Sequence, residues 1–246
     1  MTAAHTAGVR SDQTADVHSA VWSALATVRD PELDEPLTEL GFVSHCAVSA
    51  AGEAVVRLRL PTYFCAPNFA FLMVADAYDA ISSVTGVAHT DVRLEDHFAS
   101  DAINGGVAAR AGFVASFEGE AADELDSLRA DFLRKALLAG TDRLCRTMRA
   151  AGTDVSRLAE LTLGDAPAGP ERERLRARRR ELGLPSGDED ALVVDPVTGA
   201  PVGPTDLRLH LGLARTTRVS QDANSSVCRG MLAARYPHAE EQEKSA

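Results

Sequence analysis

Apolar positions at Val17, Val21, Trp22, Leu25 and Val28 recur at helical spacing and predict an amphipathic helix. Asp30-Pro31 ends it, because proline lacks an amide donor and disfavours helical geometry in the residue before it. Two strand patterns follow. Phe42 to Val48 alternates in part, and Ala54 to Leu60 sets Val56, Leu58 and Leu60 on one face against Arg57 and Arg59 on the other. The Ser49 to Glu53 segment, with Gly52, predicts the turn of a hairpin. Phe71, Leu72, Ala75 and Tyr78 then predict a helix over Asn68 to Ser82, stopped by Gly86, and Val87 to Leu94 alternates as a third strand. If that strand runs parallel to the second, the helix between them is a right-handed crossover.

Beyond His97 the period changes to helices and loops. Ala121, Leu125, Leu128 and Phe132 form a helical stripe, and Gly140 separates it from a shorter helix at Thr141 to Ala151. Pro170 opens a helix with six arginines between Arg172 and Arg180, and two last helices are expected at Thr205 to Ala214 and Asp222 to Arg235. The expected fold class is therefore α+β. A small two-layer helix-strand-strand-helix-strand domain over residues 14–97 is followed by a mainly helical extension over residues 98–236. Residues 1–13 read as a disordered tail and residues 237–246 as a charged one.

Charge narrows the partners. Lys and Arg total 25 against 36 Asp and Glu, a net charge of −11, which repels a phosphate backbone and argues against nucleic acid. The longest apolar run, Phe69 to Ala75, is far short of the ~20 residues that span a bilayer, so no membrane helix is expected. No secretory leader pattern precedes the first helix, and a cytoplasmic location is expected. With only two lysines, Lys135 and Lys244, Schiff-base and P-loop chemistry are disfavoured.

Four cysteines lie far apart with no Cys-x-x-Cys pair. Cys65, in Pro61-Thr62-Tyr63-Phe64-Cys65-Ala66-Pro67, stands just before a helix, where unpaired amides and the helix dipole favour a thiolate. Tyr63 and Phe64 are expected to narrow access to it. Asp30 and Glu32 project from the rigid Pro31 turn and could bind a metal or take a proton. Cys46 and Cys145 read as core; Cys228 has polar neighbours and Arg229 beside it, which could expose it and lower its pKa, although packing is the favoured reading there too. His89, Asp91, Arg93, Glu95 and His97 share strand parity; a solvated face explains them, with His97 also open to a role as ligand or base. Asn104-Gly105-Gly106 reads as a turn.

The order Asp30-Pro31-Glu32-Leu33, Glu39-Leu40-Gly41, hairpin, Thr62-x-x-Cys65, helix and strand resembles the iron–sulfur cluster assembly family, which includes SufT-like and phenylacetate-degradation-D-like proteins. The resemblance covers residues 14–97. Departures are Glu39 where the family has Asp, Tyr63-Phe64 where it has Pro-Gly, and a proline shifted to Pro67.

What the resemblance implies is a factor that assembles or delivers iron–sulfur clusters for a client metalloenzyme, rather than an enzyme in its own right. Cys65 would be its metal thiolate and Asp30 and Glu32 further metal-site groups. Thr62 and Glu39 would support them, and Cys228 and His97 are the additional candidate ligands. The cofactor would be an iron–sulfur cluster or iron, held transiently. A cluster takes four ligands, so a homodimer sharing Cys65, a scaffold protein or the client itself would supply the rest. The competing function is an adaptor or chaperone that binds no metal and serves a client such as a di-iron monooxygenase. A cysteine hydrolase using Cys65 with His97 or His89 ranks below both, because no Gly-rich oxyanion loop accompanies the thiol.

Overall fold

A computed structural model describes the backbone of residues 3–237 and the side chains of residues 14–237. Apart from the backbone of the first helix and Pro237, the tails expected at 1–13 and 237–246 lie outside the described residues. The chain forms two units, one of Met1–Leu125 with Ser225–Ala246 and one of Asp126–Asn224. No helix among the described residues is long and apolar enough to cross a membrane.

The first unit carries α1 (Ala3–Leu25), β1 (Val43–Val48), β2 (Glu53–Leu58), α2 (Pro67–Ser82), β3 (His89–Leu94), α3 (Ser100–Ala108) and α4 (Gly112–Ser116). β1 pairs antiparallel with β2, and β2 pairs parallel with β3 in the register Val56↔Val92 and Leu58↔Leu94, so α2 is the expected crossover. Gly52 takes the hairpin corner at φ +79°, and a Cβ there would lie 2.6 Å from the carbonyl oxygen of Gly86. Any side chain would push the hairpin off the loop that leads into β3.

The period-two pattern buries Val56, Leu58, Val92 and Leu94 against Val21 and Leu25 of α1 and Val74, Ala77 and Ile81 of α2. Each such aliphatic side chain stabilises the layer by about 1.5–3 kcal/mol. The opposite parity carries an ion-pair lattice in which Asp91 accepts from Arg57 at 2.7 Å and Arg93 at 2.9 Å, a solvated face as expected. Asn104-Gly105-Gly106 is not a turn but part of α3. The Asn104 amide accepts from the Leu94 amide at 2.8 Å and donates to its carbonyl at 3.0 Å, closing the free edge at the end of β3.

The second unit contains α5 (Asp126–Ala150), two 3-10 turns at Val155–Ala159 and Leu163–Asp165, and α6 (Pro170–Glu181). The last helix, α7 (Pro204–Arg235), contributes its residues up to 224 to this unit and the remainder to the first. Two expected breaks are absent. Gly140 does not end a helix: it sits inside α5, where a Cβ would come 3.3 Å from Leu175, so its missing side chain serves the close approach of α6. The polar stretch between the two expected final helices contains no Gly or Pro, and α7 runs through it unbroken.

Most arginines of the arginine-rich α6 have local partners. Arg174 and Arg178 pair with Glu171 and Glu181 one turn away, Arg176 with Glu173 and Asp188, and Arg172 with Glu173. Arg179 is fully buried and donates to the carbonyls of Ala191 at 2.8 Å and Leu192 at 2.5 Å, tying the helix to the following loop.

Candidate functional site

The loop after β2 carries Thr62 and Cys65 and enters α2 through Pro67 in its first turn. The Thr62 hydroxyl accepts the amide of Phe64 at 3.2 Å, an ST turn, which leaves its own proton free to point at the Cys65 Sγ 3.3 Å away. The Thr-x-x-Cys spacing therefore places a donor on the sulfur. Cys65 is half-buried, and no side chain caps α2 beyond it.

His97 is 3% exposed and holds this loop from below. Its Nδ1 accepts the amide of Ala99 at 3.2 Å, which fixes the proton on Nε2, and Nε2 donates to the Cys65 carbonyl at 2.7 Å. Burial and the nearby Arg235 charge depress its pKa, which keeps it neutral. Both ring nitrogens are engaged with backbone, so His97 positions Cys65 and presents no free lone pair to the sulfur or to a metal. The same geometry removes it as the base of a hydrolase.

Tyr63 and Phe64 do not close over the thiol. They are 45% and 76% exposed and stack with Phe98, itself 49% exposed, at ring-centroid distances of 5.1, 6.4 and 5.9 Å within the trio. An apolar platform in water thus flanks Cys65. Phe98 belongs to it but carries no periodic signal in the sequence.

The Asp30-Pro31-Glu32 turn is built as its residues suggest. Asp30 Oδ1 accepts the amides of Glu32 at 2.9 Å and Leu33 at 2.8 Å, while Leu33 is buried as the anchor of the loop. Asp30 is only 8% exposed, and burial raises its pKa from the ordinary 3.8 to about 6, helped by the charges of Glu32 and Glu35 and opposed by the two amides. No cation pairs with Asp30 among the described residues. Glu39 has an exposed side chain, and its carbonyl accepts from Arg229.

The end of α7 brings in the last group. Arg229 pairs with Glu35, Arg235 donates to the carbonyl of Leu60 at 3.0 Å and pairs with Asp96, and the Tyr236 hydroxyl donates to Asp96 at 2.8 Å. These anchors set Cys228 within electrostatic reach of Asp30, Cys65 and Glu32. Arg229, committed to Glu35, does not lower the Cys228 pKa. Burial and those three negative groups push it up to about 11, the reverse of the expectation from its neighbours in sequence.

The other two thiols are not among the groups whose charge reaches Cys228. Cys145 is 2% exposed, with burial raising its pKa to about 12, and Cys46 lies half-buried in β1. Among the described residues no three His, Cys, Asp or Glu side chains form a ready-made metal site.

Comparison with known proteins bears on this corner directly. Residues 18–94 match the model of the iron–sulfur cluster assembly protein family. Over 87 residues the chain is 37% identical to the iron–sulfur cluster carrier protein of Mycobacterium leprae (strain TN), covering 35% of this chain and 22% of that protein. The chain therefore spans about a fifth of that relative's length. No solved structure matches the chain at the same stringency. Residues 18–94 thus form an iron–sulfur cluster assembly family domain, while the second unit lies outside the match.

Proposed function

We propose that this protein assembles or carries iron–sulfur clusters as cargo, with Cys65 as the thiolate that takes hold of the cluster and Cys228 as a second thiol at the same corner. One observation carries the reading: the charges of Asp30, Cys65 and Glu32 all reach the Cys228 thiol, within the unit that holds the family domain. Two thiols fall short of the four ligands a cluster takes. The remaining ligands come from a second copy of the chain or from the protein that gives or receives the cluster. Incomplete ligation suits a carrier, because a cluster held through two bonds leaves more readily than one caged by four.

The acids beside Cys228 keep it protonated in the metal-free chain. A thiol near pKa 11 is protonated at neutral pH and must lose its proton to bind metal. Asp30, ionised above about pH 6, holds Cys228 in its protonated form until a metal ion displaces the proton to solvent. Glu32 adds negative charge that favours iron over the apo state. Thr62 holds its hydroxyl 3.3 Å from the Cys65 sulfur, and His97 fixes the loop. The free state of all four cysteines fits a reducing, cytoplasmic setting.

The exposed Tyr63, Phe64 and Phe98 favour contact with a client metalloenzyme or a scaffold protein at this corner, since exposed aromatics clustered together are typical anchors of protein interfaces. A metal-free adaptor would use the same platform. Transfer separates the two readings: after anaerobic loading with iron and sulfide, the wild-type chain converts an apo-ferredoxin to the holo form, followed by circular dichroism, and Cys65→Ser does not. Equal conversion by both would leave the adaptor.

A further inference from the structure

We propose that the second unit carries an anion site for a small phosphate-rich ligand, formed by Arg146 and Arg149 of α5 with Arg208 and Arg215 of α7. All four line one cleft of about 340 Å³. Spacings of three and seven residues put each pair on one face of its helix. None of the four forms an ion pair with an acidic side chain among the described residues, although the chain holds 36 acids against 25 basic residues. The arginines of α6 show the contrast, since four of them have carboxylates within 4.0 Å. Asp142 also faces the cleft, but its carboxylate is bound by Arg218 at 2.5 Å and does not cancel the excess.

Cys145, Val155 and Leu211 line the same cleft, and apolar walls beside guanidinium groups strengthen their attraction for an anion. Two considerations select the ligand. A cleft of this size falls in the range that encloses small molecules, whereas a protein partner needs roughly 800 Å² of surface on each side. Tetrahedral phosphate also offers three or more oxygens, so several planar guanidinium forks converge on one group, where a carboxylate accommodates one fork well. Inorganic polyphosphates and nucleoside di- and triphosphates share that chemistry.

Calorimetric titration of the full chain at low salt tests the assignment, with tripolyphosphate, ATP, adenosine and citrate as probes. Tripolyphosphate should bind with about 1:1 stoichiometry. The pair Arg146→Gln with Arg149→Gln, and separately Arg208→Gln with Arg215→Gln, should each weaken it by about tenfold or more, the loss expected for charge-assisted bonds. Arg174→Gln with Arg180→Gln on α6 should leave it unchanged. Tighter binding of ATP than tripolyphosphate, with adenosine silent, assigns the site to nucleoside phosphates; equal or weaker binding of ATP assigns it to inorganic polyphosphate. The proposal is overturned if tripolyphosphate fails to bind, if citrate binds equally well, or if a chain carrying all four substitutions, shown by its melting curve to be folded, binds as wild type does.

Discussion

Two buried charges, one in each unit, are handled in opposite ways. Arg179 is fully enclosed and donates to the carbonyls of Ala191 and Leu192, so its charge is absorbed by backbone that needs it in return. Its pKa falls to about 10 through burial yet stays far above neutrality, and the residue can only be structural. Asp30 is almost as buried, but it receives two amides and no cation, with Glu32 and Glu35 adding charge of its own sign. Its pKa is carried to about 6, where protons come and go under cellular conditions. A buried charge bonded to several backbone carbonyls holds a fold together, whereas one left short of a counter-ion is a place where chemistry happens.

Substitution at each charge tests that contrast. The largest effect is expected from Arg179→Ala, which strands buried carbonyls and opens a cavity. Chemical denaturation should show a loss of about 3–5 kcal/mol, and a loss below ~1 kcal/mol would erase the distinction.

Asp30→Asn should do the opposite. The amide oxygen can keep both backbone bonds, which reach a single oxygen of the side chain, while the desolvated charge disappears. The sign follows from the raised pKa. Native protein binds the Asp30 proton more tightly than the unfolded chain does, so this group's stabilisation is complete below about pH 3.8 and fades as pH rises through about 6. The variant escapes that loss and should exceed wild type by about 1–3 kcal/mol at pH 7.5. The advantage should vanish near pH 4, and a pH-independent difference would mean that the charge is not the cause.

A smaller change is expected in Cys228, whose thiol should be alkylated faster at pH 8 in Asp30→Asn than in wild type, read by mass spectrometry of the modified peptide. Unchanged labelling would separate the two groups. Least of all, Arg180→Ala on the exposed side of α6 should alter stability by no more than about 0.5 kcal/mol, as surface positions do; a large loss there would show that the α6 arginines are not divided between buried and dispensable.

Local pattern made the first unit readable. The alternation of Val56, Leu58 and Leu60, the Asp30-Pro31 stop and the Thr62-x-x-Cys65 spacing each act within a few residues, and the α+β layout with its parallel crossover follows from them. Interactions made over long separations were not readable. Arg229 and Arg235 fasten the end of α7 onto Glu35 and Leu60, nearly two hundred residues earlier, and no spacing rule announces that Cys228 will lie near Asp30. Its neighbour Arg229 pointed to a lowered pKa because adjacency in sequence is a poor guide to which charges a side chain meets. Gly140 misled for a related reason, since a glycine that admits a neighbouring helix looks in sequence like one that ends its own. Four arginines of the conspicuous α6 run proved paired with carboxylates of the same helix, while the guanidiniums of the cleft are spread over two helices and do not stand out in the sequence.

The proposed carrier role requires that the Cys65 corner take hold of iron and sulfide. Iron and acid-labile sulfide per chain, measured after anaerobic reconstitution and desalting, test this most directly in wild type, Cys65→Ser, Cys228→Ser and Cys46→Ser. Wild type and Cys46→Ser should retain both elements, Cys228→Ser should retain less and Cys65→Ser almost none; equal content in all four proteins, or none in wild type, would contradict it.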